Sequence, residues 1–389
     1  MQKKSTATVT ICELLLSNLK KLSIMLKMLT ISLLFLLIFA CSDKSVNTLA
    51  TKESKLLIGL SMQQYKNSRP GLDGYVEGLD YAVQNGINIF GMSPEWNLLE
   101  PTPNTYSLQD NLSNPLTLID PSKTKLKGYI LVLKMIDTNI KLLPNYIANL
   151  NFDSPDVINR FSLLLEKIFS EVPSFERVSH ILIGNEIDGF LSANPEQIQK
   201  FKVFYLSAVE KIHTLNPKVK VGTIITFNAA KNNSTLFDAF KNIGDFICYT
   251  YYPTNEQYHI PWQMRPPSQV RDDIDWMIQN AGGKPIAFTE IGYTSSNDNS
   301  SSEQQQSEFV KVMFNAMKPY INNKKIEFIY YHGLYDYPQG FCNQYAQQQG
   351  VDSTHICGFM NHLGLHNWKT GQPKPAWFTF TNELRNINE

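Results

Sequence analysis

Two apolar runs in this chain of 389 residues each end in a glutamate: Ile181-Leu182-Ile183-Gly184-Asn185-Glu186 and, about a hundred residues later, Pro285-Ile286-Ala287-Phe288-Thr289-Glu290. Four or five buried-type residues bounded by polar and turn residues read as a strand inside a parallel sheet. A charge at the C-terminal end of such a strand lies where the core opens to solvent. Two carboxyl groups delivered to one opening can break a glycosidic bond, one protonating the leaving oxygen and the other acting as a carboxylate across the sugar. Either glutamate alone fits an unrelated strand end equally well; the pairing at matched ends is what suggests the chemistry.

The elements that must position them repeat regularly. Strand-like segments fall at 56–62, 87–96, 128–137, 180–188, 219–227, 245–253, 285–293 and 327–336. Amphipathic helical patterns lie between them at 72–84, 156–171, 195–215, 268–280 and 302–320, with a closing helix near 375–386. Eight alternations of strand and helix, with no Pro- or Gly-rich linker to divide them, predict one α/β domain over 56–389, a (β/α)8 TIM barrel. A barrel of about 250 residues allots roughly 31 to each βα unit, so the interval between the glutamates spans about three strands. Glu186 and Glu290 end the fourth and seventh predicted strands. Both therefore fall at the C-terminal mouth, where such barrels hold their active sites.

With these residues in place, the chain resembles the retaining glycoside hydrolases of clan A, in which an Asn-Glu pair ends strand four and a second Glu ends strand seven. Asn185-Glu186 and Glu290 stand at those positions. Gly184-Asn185-Glu186-Ile187 and Tyr251-Tyr252-Pro253 are similar to the endo-galactanase family, whereas Trp96-Asn97-Leu98-Leu99-Glu100-Pro101 with Tyr106 is similar to cellulase and xylanase families. The resemblance implies that Glu290 is the nucleophile and Glu186 the acid/base. Glu186 must then begin protonated, with its pKa raised by the nearby charge and by burial. It further implies that Asn185 hydrogen-bonds the sugar 2-hydroxyl and that Tyr251 donates its hydroxyl to the nucleophile. Tyr249 or Tyr252 takes that part if the register slips by one residue.

Sugar subsites need flat rings and polar contacts. Trp96 and Trp262 are the first candidates for platforms, with Trp368 behind them; Trp276 and Trp377 lie in helical patterns and read as packing. Glu95 and Asp137, at the ends of the second and third predicted strands, could bind hydroxyls or serve as ordinary surface carboxylates. The segment 337–374 shows no clear helix or strand and follows strand eight, as a lid or substrate wall would. Clan members commonly end strand eight in a Trp platform. This chain has Tyr331-His332 and Tyr335 there, which makes His332 a candidate substrate contact. His355, His362 and His366 lie close by, but no HxH, HExxH or CxxC spacing is present, so neither a catalytic metal nor another cofactor is expected.

Lys plus Arg and Asp plus Glu each total 35, which leaves no basic field for nucleic acid and suits a neutral polysaccharide or oligosaccharide. Lys20, Lys21 and Lys27 precede the apolar stretch 28–40, which is short for a membrane span and right for a secretory signal. The stretch ends in Ile38-Phe39-Ala40-Cys41, similar to a bacterial lipoprotein box, with a plain anchor or an ordinary signal as the alternatives. Residues 1–41 are thus expected to be a signal ending in a lipidated Cys41, and 42–55 a polar tether, on an exported monomer of the cell envelope. Of the other cysteines, Cys12 leaves with the signal and Cys248 reads as a buried thiol. Cys342 and Cys357 remain; in an exported protein they could pair and stabilise their loop by roughly 3 kcal/mol, with two free thiols as the alternative. The expected activity is retaining hydrolysis of a β-linked glycan by two glutamates, endo or exo. The rivals are a silent glycan-binding lipoprotein on the same scaffold and a barrel with unrelated, metal-dependent chemistry.

Overall fold

The computed structural model describes residues 56–388 apart from 65, 69–71, 114–124, 256–261 and 352. The expected signal, Cys41 and the tether lie outside the described residues. Among those described, no helix is long and apolar enough to cross a membrane.

Eight parallel strands form a barrel, each overlapping one of the predicted segments; six lie inside theirs, while the fourth begins two residues early, at Val178, and the eighth one residue early, at Ile326. They are β1 (Leu57–Leu60), β2 (Ile89–Met92), β3 (Gly128–Asp137), β4 (Val178–Asn185), β5 in two pieces (Lys220–Gly222 and Ile224–Thr226), β6 (Ile247–Tyr251), β7 (Ile286–Ile291) and β8 (Ile326–Tyr331). Their ladders fall into two groups. One runs β2-β3-β4 to the first piece of β5; the other runs from the second piece of β5 through β6, β7 and β8 to β1. Side chains stitch the two joins. Thr223, between the pieces of β5, donates its hydroxyl to the Ile183 carbonyl at 2.7 Å. At the β1/β2 join, the buried Asn88 accepts from the Ile58 N–H on Oδ1 at 2.8 Å and donates from Nδ2 to the Leu56 carbonyl at 2.9 Å. Backbone groups left without a ladder partner inside a core must find one, and an amide side chain supplies donor and acceptor together.

Alternation along the strands sorts the core into two shells. Ile130, Val132, Leu182, Ile224, Cys248, Ala287 and Phe328 point into the barrel, while Leu131, Leu133, Ile181 and Ile183 face the helices. Burial pushes the Cys248 thiol up to about 12, which suits an inert core sulfur. Tyr330 crosses the upper barrel, and its ring lies over Gly59, where an added Cβ would fall 1.9 Å from the ring. Glycine is required at that position.

The outer helices follow the predicted pattern: α1 (Leu72–Gln84), α2 (Pro155–Glu171), α3 (Ile198–Leu215), α4 (Val270–Asn280), α5 (Glu303–Asn322) and, closing the chain, α8 (Pro375–Asn388). In α2, Pro155 opens the first turn and Val157, Phe161, Leu164, Leu165 and Ile168 form the buried stripe, a 3.6-residue period read out as packing. The segment 337–374 departs from expectation, because it holds α6 (Gln339–Gln349) and α7 (Ser353–Met360), joined by the Cys342–Cys357 disulfide. Only Cys342 and Ala346 of α6 are buried, so its sequence lacks the broad apolar stripe that announces a helix.

Candidate active site

Above the C-terminal strand ends lies a cavity of about 620 Å³ whose wall includes Glu186, Glu290, Asn185, Trp262 and His332. That volume is in the range of small-molecule sites. Glu186 reaches it through an abrupt exit from β4: Gly184 has φ +83° and Glu186 itself φ +43°. The left-handed turn carries the glutamate off the strand, so that its carboxyl takes a hydroxyl proton donor on each side. Thr250 donates to Oε1 at 2.7 Å and Thr138 to Oε2 at 2.8 Å. Burial, with the charges of Glu290 and Asp188, raises the Glu186 pKa to about 8, against the pull of the two threonines. Asp188 is held to the Thr226 N–H at 2.8 Å and to its hydroxyl at 2.7 Å, so its charge stays fixed below the site.

Glu290 arrives from β7. Its backbone pairs in register with that of Thr250, the residue whose hydroxyl binds Glu186, so one threonine is neighbour to both glutamates. Both carboxyl groups line the one cavity, and the charge of Glu290 is felt at Glu186. Tyr252 donates to Glu290 Oε2 at 2.7 Å. His332 Nδ1 faces the same oxygen at 3.7 Å. Burial lowers the His332 pKa, opposed by Glu290, and favours the neutral ring. Gln63 Nε2 donates to the Tyr337 hydroxyl at 2.7 Å, and that hydroxyl bonds His332 Nε2. The chain of donors assigns the ring proton to Nδ1, the nitrogen turned toward Glu290.

Several sequence expectations need correcting. Tyr251 does not reach Glu290: alternation turns it outward, where it is fully buried and donates to Asp273 Oδ2 at 2.7 Å beside Arg265. Tyr252, one residue past the strand, swings back over the mouth and makes the bond foreseen for its neighbour. Trp96 is no sugar platform. The turn Trp96–Leu99 folds the indole into the core against Phe161, with ring centroids 4.9 Å apart, and its N–H donates to Glu100. Glu95 does not line the cavity; it sits 3.8 Å from Lys134, which does. Trp368, His355, His362 and His366 also stay out of the wall.

Trp262 lies in the wall, its ring 5.2 Å from that of Phe359 on α7. Asn185 donates to Asp137 Oδ1 at 2.8 Å, and Asp137 takes Lys134 on its other oxygen at 2.8 Å. The segment expected as a substrate wall does supply one, through Tyr337, Tyr345 and Phe359 among others, whereas Thr138 and Thr250 were not foreseen. For Thr250 the alternation along β6 was a usable signal; for Thr138, with φ +52°, nothing in the sequence announces the turn. Among the described residues, no group of three or more His, Cys, Asp or Glu is arranged to hold a metal ion. The site thus joins a carboxyl group kept protonated into the neutral range to a second carboxyl group fixed by a tyrosine. It has the parts for paired acid and nucleophile chemistry.

No protein-family model matches this chain, and no curated protein matches its sequence. Solved structures do share its fold. A variant of GH5_18 from Streptomyces cattleya, in complex with Manb1-4GlcNAc, aligns with TM-score 0.64 and 14% identity over 85% of this chain and 80% of that one. An exo-beta-1,4-mannosidase from Opitutaceae bacterium strain TAV5 aligns with TM-score 0.65 and 16% identity over 86% of this chain and 60% of that one. The GH53 catalytic domain of Ignisphaera aggregans aligns with TM-score 0.54 and 16% identity over 88% of this chain and 98% of that one. These are likenesses of fold, and they agree with the (β/α)8 barrel built above.

Proposed function

We propose that the chain is a retaining glycoside hydrolase that cleaves a β-linked glycan, with Glu290 as nucleophile and Glu186 as acid, then base. The observation that supports this best is the convergence on Thr250: its hydroxyl bonds one glutamate and its backbone is in register with the other. Glu186, with a pKa near 8, holds its proton at neutral pH and can give it to the leaving oxygen. Glu290, oriented by Tyr252, attacks the anomeric carbon and forms a glycosyl ester. Once the aglycone departs, Glu186 takes a proton from water, which displaces Glu290 and restores the original configuration. Asn185, anchored on Asp137, offers its amide to a sugar hydroxyl beside the reacting carbon.

β-Mannosidic substrates are the first to try, because one neighbour of like fold holds Manb1-4GlcNAc and another is named an exo-beta-1,4-mannosidase. The test is a screen of the purified protein on aryl β-glycosides and β-linked glycans, with product configuration followed by NMR during the first turnovers. The β-anomer is expected to appear first. An α-anomer would mean inversion, and no turnover on any β-glycoside would refute the assignment.

The tyrosine pair gives a separate check. Tyr252→Phe removes the hydrogen bond to Glu290 and should lower kcat/KM about tenfold with little change in thermal stability, one bond to a charged group being worth roughly 1.5–3 kcal/mol. Tyr251→Phe leaves Asp273 short of a buried donor and should do the reverse, costing about 1–2 kcal/mol of stability while activity at 25 °C holds. Kinetics and thermal melts of the two variants decide it, and equal behaviour in both assays would reject the distinction.

A further inference from the structure

The helical pair after β8 carries side chains that the mechanism above does not use. From α6, Phe341 is 46% exposed, and its ring stacks on Tyr337 with centroids 4.9 Å apart. Tyr345, one turn further on, lines the same cavity as Asp137, Glu186 and Glu290. Those three carboxylates belong to β3, the exit of β4 and β7, so a group that shares a cavity with all of them hangs over the barrel axis. No hydrogen bond joins the Tyr345 hydroxyl to any described residue, and the side chain is only partly buried, which leaves the hydroxyl open to a ligand in the cavity. Burial first, then the charges of Glu186, Glu290 and Asp137, raises its pKa, so the hydroxyl stays protonated and keeps a proton to donate.

The helix that presents it is weakly held. α6 has 11 residues and buries only Cys342 and Ala346, and a helix that short is marginal without outside support. Cys342 lies three residues before Tyr345, close to the same face, and its disulfide ties α6 to α7. α7 is anchored in turn: the buried Asn299 donates to the His355 carbonyl at 3.2 Å and to the Trp262 carbonyl at 3.0 Å.

We infer that Tyr345 is a substrate-contacting residue, donating its hydroxyl to a ring hydroxyl of the bound sugar from the solvent side, and that the Cys342–Cys357 link holds it there. This rests on the glycosidase reading. Retained hydroxyl specificity comes from a donor left unpaired when the wrong sugar is bound, so Tyr345 sorts substrates as well as holding them.

The experiment compares wild type, Tyr345→Phe, Cys342→Ser/Cys357→Ser and the triple variant, as full-length proteins, on 4-nitrophenyl β-mannoside, β-1,4-mannobiose and their glucose and galactose counterparts. Tyr345→Phe should lose about three- to tenfold in kcat/KM, chiefly through KM, with an unchanged Tm because no protein bond is lost. The serine pair should raise KM comparably and speed amide hydrogen exchange in 339–360. In the triple variant the two losses should not add, since both remove the same contact. Tyr345→Phe within twofold of wild type, or additive losses, overturns the role of Tyr345 and leaves the glycosidase assignment standing. A lowered Tm in Tyr345→Phe shows a structural hydroxyl and overturns it too. A wild type that turns over none of these substrates removes the glycosidase reading and this inference together.

Discussion

Glu290→Gln is expected to abolish turnover, with kcat falling on the order of 10⁴-fold or more, the scale seen when a hydrolase loses its covalent nucleophile. The amide keeps the shape of the carboxyl and an oxygen for the Tyr252 hydroxyl, so folding has no reason to suffer. What disappears is the charge that, in the proposed mechanism, attacks the anomeric carbon. Shortening the side chain further, in Glu290→Ala, clears the face from which the nucleophile approaches. Added azide should then attack an aryl β-glycoside directly and yield the α-glycosyl azide, an inverted product the wild type cannot make. Product NMR reads this outcome. A Glu290→Gln protein within tenfold of wild type on every substrate would assign the nucleophile elsewhere, whatever the fold.

Glu186→Gln should act differently on different substrates and at different pH. Loss of a general acid lowers rates by about 10²–10⁴ where the leaving group needs a proton, and spares the first step for aryl glycosides with acidic phenols. In wild type, kcat/KM on an unactivated glycan should decline as pH rises through about 8, where Glu186 loses its proton; in the variant that limb should vanish. Stability moves in a linked way. The folded pKa is raised above the ordinary value of 4.5, so between about pH 4.5 and 8 the native state binds a proton that the unfolded chain has released. Stability of wild type therefore falls as pH rises across that window. Glutamine removes this dependence, and the variant should melt above wild type at pH 7 but converge with it near pH 4. Calorimetry at the two pH values checks the sign, and a variant less stable at pH 7 would mean that the two threonine bonds outweigh burial.

The barrel was legible because its strands are buried on both faces and therefore spell nearly continuous apolar runs, such as Tyr129 to Val132 or Ile181 to Ile183, while the helices keep a 3.6-residue stripe. The glutamates were legible because a charge closing an apolar run has only one place to go. What stayed hidden depends on single torsions and on distant neighbours. Whether Tyr251 or Tyr252 faces the mouth turns on where β6 ends by one residue, and a slip of one exchanges the faces. Trp96 looked like a platform because nothing local says that Phe161 and Phe204, 65 and more residues downstream, will enclose it. α6 was hidden because a helix held by a disulfide and a narrow apolar face does not need the stripe that reveals others.

The two joins of the barrel bear on the chemistry from a distance. Glu186 follows the arc that begins at β2, and Glu290 belongs to the arc that ends at β1, so the two glutamates ride on opposite jaws of a clamshell with hydrogen bonds across its rims at Thr223 and Asn88. A slide of jaw against jaw would change their spacing directly. Two small polar side chains outside the cavity wall, Thr223 and Asn88, thus work with the Thr250–Glu186 bond inside it to fasten one jaw to the other.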